Sequence, residues 1–169
     1  MKSAAIYGNK IIVIGCPGSG KSTFSLALHG LTGLPLYHLD MIWWKPDRTH
    51  ITREAFDKRL QAILDTEQWI IDGSYSRTQE MRVMACDTVI FLDFDEATCL
   101  EGIQKRVGSV RPDMPWVEES LDPELVALVK SYRTEQRPKI DALKEKYPNK
   151  NWLIFTSRKQ ADEWLELIK

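Results

Sequence analysis

Cysteine is scarce and neither sign of charge dominates in this 169-residue chain, which carries 3 cysteines and 23 basic against 24 acidic residues. Cys16, Cys86 and Cys99 are odd in number and form no C-x-x-C pair, which disfavours both a disulfide framework and a structural zinc site. The formal net charge of −1 supplies no broad positive field of the kind that nucleic acid or an anionic membrane would select. No apolar run approaches the roughly 18 residues that a bilayer span needs. Met1 to Gly8 contains no extended apolar signal core. From these absences we expect a cytoplasmic protein with no membrane partner, disfavoured as a nucleic-acid binder, monomeric by default with a dimer open. At 43% hydrophobic and 28% charged the composition is globular, and the length suits one domain over 1–169.

What is present is concentrated near the start. Gly15-Cys16-Pro17-Gly18-Ser19-Gly20-Lys21-Ser22 fits G-x-x-x-x-G-K-[ST], the loop that cradles the phosphates of a nucleoside triphosphate. Glycines let the chain wrap so that successive N–H groups face the phosphates, and the helix that follows adds its positive end. Lys21 supplies a point charge for the β and γ oxygens, Ser22 a hydroxyl for Mg²⁺, and Thr23 continues the first turn. The context agrees: Lys10 to Ile14 is a β-branched run suited to a buried strand, and Phe24, Leu28 and Leu31 then repeat at helical spacing until Gly33. Cys16, inside the loop, reads as a neutral space-filling thiol.

Short β-like runs alternate with helical patterns along the rest of the chain, which is α/β organisation. Leu34 to Leu39 reads as a second strand ending at Asp40, Trp69 to Ile71 as a third ending at Asp72-Gly73, and Thr88 to Leu92 as a fourth ending at Asp93. Asn151 to Phe155 reads as a fifth. Thr52, Asp122 with Pro123, and Ser157 with Gln160 are helix starts, and Pro138 is placed to divide a long helix. The segment 108–120 has no period and reads as a lid; 40–66 is the presumed acceptor-binding segment.

Ile70-Ile71-Asp72-Gly73-Ser74-Tyr75-Ser76-Arg77-Thr78 is similar to the Asp-Gly-Phe-Pro-Arg-Thr signature of nucleoside monophosphate kinases, lengthened by one residue. With Tyr37-His38-Leu39-Asp40, Trp44-Lys45-Pro46, Arg111-Pro112-Asp113-Met114 and Arg133 to Pro138, the chain resembles the adenylate-kinase-like P-loop kinases. Within them it is most similar to a bacterial group labelled topology modulation proteins. The resemblance implies a three-layer P-loop NTPase fold, with a parallel five-stranded sheet of order 2-3-1-4-5 and helices on both faces. It also implies Mg²⁺ and ATP as cofactors and a small-molecule phosphate acceptor: a nucleoside, nucleotide or related metabolite. Asp72 is then the expected carboxylate for Mg²⁺ beside Ser22, with Asp93 a structural residue. Asp40 orients or deprotonates the acceptor. Arg106, Arg111, Arg133 and Arg137 clamp the transferring phosphate, and Arg77 meets any phosphate on the acceptor. The alternative is a nucleotide-dependent regulatory ATPase that binds DNA or a protein, for which the group's label is the motive.

Overall fold

The computed structural model describes residues 8–169; the expectation drawn from the N-terminus falls largely on residues 1–7, outside the described residues. Strand β1 (Lys10–Gly15) is followed by the glycine loop and helix α1 (Lys21–Thr32), then β2 (Leu36–His38), α2 (Leu39–Trp43), α3 (Arg53–Leu64) and β3 (Trp69–Asp72). Helix α4 (Ser76–Ala85), β4 (Thr88–Leu92), α5 (Glu96–Arg106), α6 (Pro123–Glu135), α7 (Arg137–Lys146), β5 (Asn151–Phe155) and α8 (Arg158–Leu167) complete the order. The strands form one five-stranded sheet in the order β2-β3-β1-β4-β5, and every pairing is parallel.

Parallel sheets need both faces covered, and the central strands carry the sequence for it. Successive side chains of a strand point to opposite faces, yet Ile11, Ile12, Val13 and Ile14 are all fully buried, as are Ile70, Ile71, Val89 and Ile90. Helices therefore cover both sides. Phe24 of α1, Phe155 of β5 and Trp164 of α8 gather into one aromatic cluster with centroids about 6 Å apart.

The helix ends follow local chemistry. Gly33 closes α1 in the left-handed conformation at φ 71°, donating its N–H to the His29 carbonyl. Side-chain oxygens of Thr52, Asp122 and Ser157 accept from Ala55, Glu124 and Gln160 at the starts of α3, α6 and α8. Pro138 sits in the first turn of α7, and the chain breaks at Gln136 between α6 and α7 as expected.

Two elements differ from the sequence reading. The second strand stops at His38, so Asp40 lies in the first turn of α2 rather than at a strand end. β2 is a sheet edge paired only with β3 through His38 opposite Asp72, and an acid in the first turn suits the positive end of α2. Helix α4 is the other: its inward face is Thr78, Gln79, Arg82 and Val83, so polar residues replace the apolar stripe that marks a helix.

Candidate active site

All five strands point their carboxyl ends toward one edge of the sheet, and the glycine loop, Asp72 and Asp93 lie there together. Register fixes this: Val13 is opposite Asp72 and Gly15 is opposite Leu92, the residue before Asp93. Gly18 and Gly20 take φ of 84° and 90°, the left-handed region open to glycine. Gly18 is also a point of close approach, because a Cβ there would stand 2.0 Å from the Cys99 carbonyl of α5. Gly102 faces it, and a Cβ on Gly102 would stand 1.9 Å from the Gly18 carbonyl. Helix α5 thus lies directly against the loop.

Lys21 folds back over this loop, its Nζ donating to the carbonyls of Gly15 at 3.0 Å and Cys16 at 3.1 Å. Burial, and then nearby Arg106, hold its pKa below the usual lysine range, against the pull of Asp72 and Asp40. Ser19 is buried with an unpaired hydroxyl, Pro17 is half-buried, and Thr23 is exposed on the first turn of α1. Cys16 and Cys99 share a thiol hydrogen bond that, with burial, pushes the Cys16 thiol up, so it is neutral.

The expected metal residues find different partners. Ser22 donates to Asp113 Oδ2 at 2.6 Å, and Asp113 belongs to the 108–120 segment. Asp72, 5% exposed, is held by His38 Nδ1 at 2.6 Å. Burial lowers the His38 pKa, but the bond to Asp72, with the charges of Asp72, Asp113 and Asp40, raises it overall. Nδ1 therefore carries the hydrogen that His38 donates to Asp72. Among the described residues no group of three His, Cys, Asp or Glu side chains is arranged to hold a metal by itself. The oxygen-rich set of Ser22, Asp72 and Asp113 nevertheless fits Mg²⁺, which takes one or two carboxylates and relies on phosphate oxygens and water for the rest.

Asp40 accepts the Tyr75 hydroxyl at 2.5 Å. Burial raises its pKa; the Tyr75 bond and Lys21 oppose this, and Asp72 and Asp113 reinforce it. Tyr75 lies at φ 28°, an uncommon conformation for a residue with a side chain, and its ring stacks on Phe56 with centroids 5.4 Å apart. The polar face of α4 holds it there: Arg82, fully buried, donates to the carbonyls of Gly73 at 2.8 Å, Ser74 at 2.6 Å and Tyr75 at 3.2 Å. Ser74 in turn donates to the Gly15 carbonyl at 2.5 Å, tying this turn to the phosphate loop. A cavity of about 270 Å³ opens beside Tyr75, lined in part by Trp43, Phe56, Tyr75 and Arg77.

The arginines separate into groups. Arg106 is in electrostatic reach of Lys21, Asp40, Asp113 and Arg111; burial and then Arg111 hold its pKa below the usual arginine range. Arg111 grips Asp113 through Nε at 3.0 Å and Nη2 at 2.9 Å, with Glu118 3.8 Å away. Arg137 pairs with Asp93 at 2.9 Å and Arg133 stands 3.9 Å from it, so this pair is anchored to the fourth strand's carboxylate rather than extended over the loop. Arg77 is a bidentate partner of Asp57, at 2.7 and 3.0 Å.

Tyr75, Arg82 and Asp113 carry no individual signal in the sequence, and neither does Arg158. That residue donates to the Ser19 carbonyl at 3.2 Å and the Gly18 carbonyl at 3.1 Å from the start of α8. Its position just after a strand end was the available hint. Trp116 of the 108–120 segment makes edge contact with Trp44, centroids 5.3 Å apart, and Arg48 lies over its ring.

No protein-family model matches the sequence, and no curated protein matches it. Solved structures do. The chain is similar to the shikimate kinase of Bacteroides thetaiotaomicron at 16% identity and TM-score 0.61, covering 92% of this chain and 93% of that one. The shikimate kinase of Acinetobacter baumannii in complex with shikimate gives 16% identity and TM-score 0.61 over 96% and 93%. The deoxyadenosine kinase of M. mycoides gives 16% and 0.55 over 94% and 95%. The fold is that of the P-loop kinases, with the sheet order 2-3-1-4-5.

Proposed function

We propose that the protein is a Mg²⁺-ATP-dependent phosphotransferase acting on the hydroxyl group of a small acceptor, a nucleoside, sugar-like alcohol or related metabolite. The observation that carries this reading is Asp40: a carboxylate of raised pKa, oriented by Tyr75 and in electrostatic reach of Lys21. A bare NTPase has no use for a second carboxylate bonded to a tyrosine that lines an aromatic cavity. An acceptor whose hydroxyl reaches past Tyr75 would give its proton to Asp40 while its oxygen attacks the terminal phosphorus and the bond from that phosphorus to ADP breaks. Lys21 would exchange the Gly15 and Cys16 carbonyls for phosphate oxygens, and Arg106 and Arg111 would face the charge that develops in transfer. Ser22, Asp72 and Asp113 would hold Mg²⁺, whose chemistry when bound is to neutralise the β and γ oxygens.

The structural neighbours support a small acceptor, since those reported above are named as kinases of shikimate and deoxyadenosine. Resemblance to the topology modulation group fits the same reading, because that label describes a cellular effect and specifies no reaction. The test is ADP formation across nucleosides, nucleoside monophosphates, sugars and hydroxy acids. Acceptor-dependent turnover in the wild type that Lys21→Ala abolishes is expected. Turnover no faster than the variant for every acceptor, or hydrolysis indifferent to acceptor, would overturn the proposal.

A further inference from the structure

The carboxylate that meets the phosphate loop's metal-binding hydroxyl comes from the lid. Ser22 donates its proton to Asp113 Oδ2 at 2.6 Å, across 91 positions of sequence. A hydroxyl that gives away its proton in this direction turns its oxygen lone pairs outward, and lone pairs are what a hard cation takes. Asp72, which the sequence favours for this task, has His38 on one oxygen at 2.6 Å.

Asp113 is built into place. It is buried to 6% exposure and fixed by both Nε and Nη2 of Arg111. Of the roughly four lone-pair sites on a carboxylate, these bonds and Ser22 occupy three, and among the described residues Oδ1 accepts only Arg111 Nε. One acceptor position is left for a further donor such as a metal-bound water. The segment around it is held at two more points: Gly108 N–H donates to the Glu118 carbonyl at 2.7 Å, closing the lid on itself, and Trp116 packs on Trp44. Burial tends to raise the Asp113 pKa, but Arg111 and Ser22 lower it overall, so the group is ionised at neutral pH.

We infer that Asp113 is the carboxylate that orients Ser22 toward the divalent cation and accepts one of its water ligands, so that metal affinity depends on the lid being seated. The inference rests on the phosphotransfer reading above. It places the metal's outer carboxylate on the 108–120 segment, so cation binding and the seating of that segment are one equilibrium seen from two sides.

The experiment is calorimetric titration of the non-hydrolysable analogue AMP-PNP, once in EDTA and once in saturating Mn²⁺, for the wild type, Asp113→Asn and Trp116→Ala. In the wild type Mn²⁺ should strengthen AMP-PNP binding. In Asp113→Asn that strengthening, taken as the ratio of Mn²⁺ to EDTA affinity within each protein, should shrink by about 10–100-fold, the usual effect of losing an outer partner of a metal ligand. Trp116→Ala, which leaves Asp113 intact but removes the lid's packing on Trp44, should reduce the same strengthening in the same direction. Equal strengthening in wild type and Asp113→Asn would overturn the inference alone. So would greater strengthening in Asp113→Asn, because Asp113 would then compete with the cation for Ser22. A wild type that binds no AMP-PNP under either condition would overturn the phosphotransfer reading along with it.

Discussion

At the scale of single residues, the site is organised by which carboxylate has found which partner. Asp93 is neutralised by Arg137, with Arg133 beyond, Asp72 by His38, Asp113 by Arg111; Asp40 alone has a neutral phenol as its bonded partner. That difference, together with the burial that raises its pKa, suits Asp40 to accept a proton. Asp40→Asn should lower kcat by about 10²–10⁴-fold, the usual range for a lost general base, with KM for ATP little changed in steady-state kinetics. The His38 and Asp72 pair makes a second, pH-dependent prediction. Its folded pKa lies above 6.5, the ordinary value for histidine. The pair's contribution to stability is therefore fully present below pH 6.5 and is lost as pH rises through the folded value. An imidazole titration by NMR should give a midpoint above 6.5 in the wild type. In Asp72→Asn the midpoint should fall below 6.5, since burial is the largest influence left.

At the scale of elements, legibility in the sequence followed the chemistry that faces the core. β1, β4 and β5 are apolar runs whose ends the residues declare, and the caps at Thr52, Asp122 and Ser157 are local side-chain bonds. Helix α4 was hidden because its buried face serves carbonyls instead of a hydrophobic layer. Arg82 is the centre of that face, with no carboxylate bonded to it and with burial pushing its pKa down to about 10. Arg82→Met should destabilise the protein by about 3 kcal/mol in urea unfolding, because buried carbonyls of Gly73, Ser74 and Tyr75 lose a charged donor. Helix α5 makes the companion case. Gly102→Ala would drive a methyl group into the Gly18 carbonyl; it should cost about 1–3 kcal/mol and weaken AMP-PNP binding, since the helix can relieve the clash only by moving the loop. The link between Ser22 and Asp113 was illegible for another reason: an aperiodic lid gives no register from which a partner so distant in sequence could be read.

At the scale of the whole molecule, β1, α5, the 108–120 segment and the turn after β3 meet at one edge of the sheet, so ligand binding should be felt globally. A nucleotide present at about 100 times its Kd stabilises the folded state by about 2.7 kcal/mol, and for a chain of this length that corresponds to a rise in Tm of about 5–10 °C. AMP-PNP with Mg²⁺ should produce a rise of that size in scanning calorimetry, and Lys21→Ala should remove it. Arg158 places a further condition on the same edge. It secures the carbonyls of Gly18 and Ser19 from 140 and 139 positions downstream. During translation the phosphate loop is made early, while this brace emerges only after β5. A nascent chain halted before α8 would therefore carry the loop's full sequence without this brace on its carbonyls.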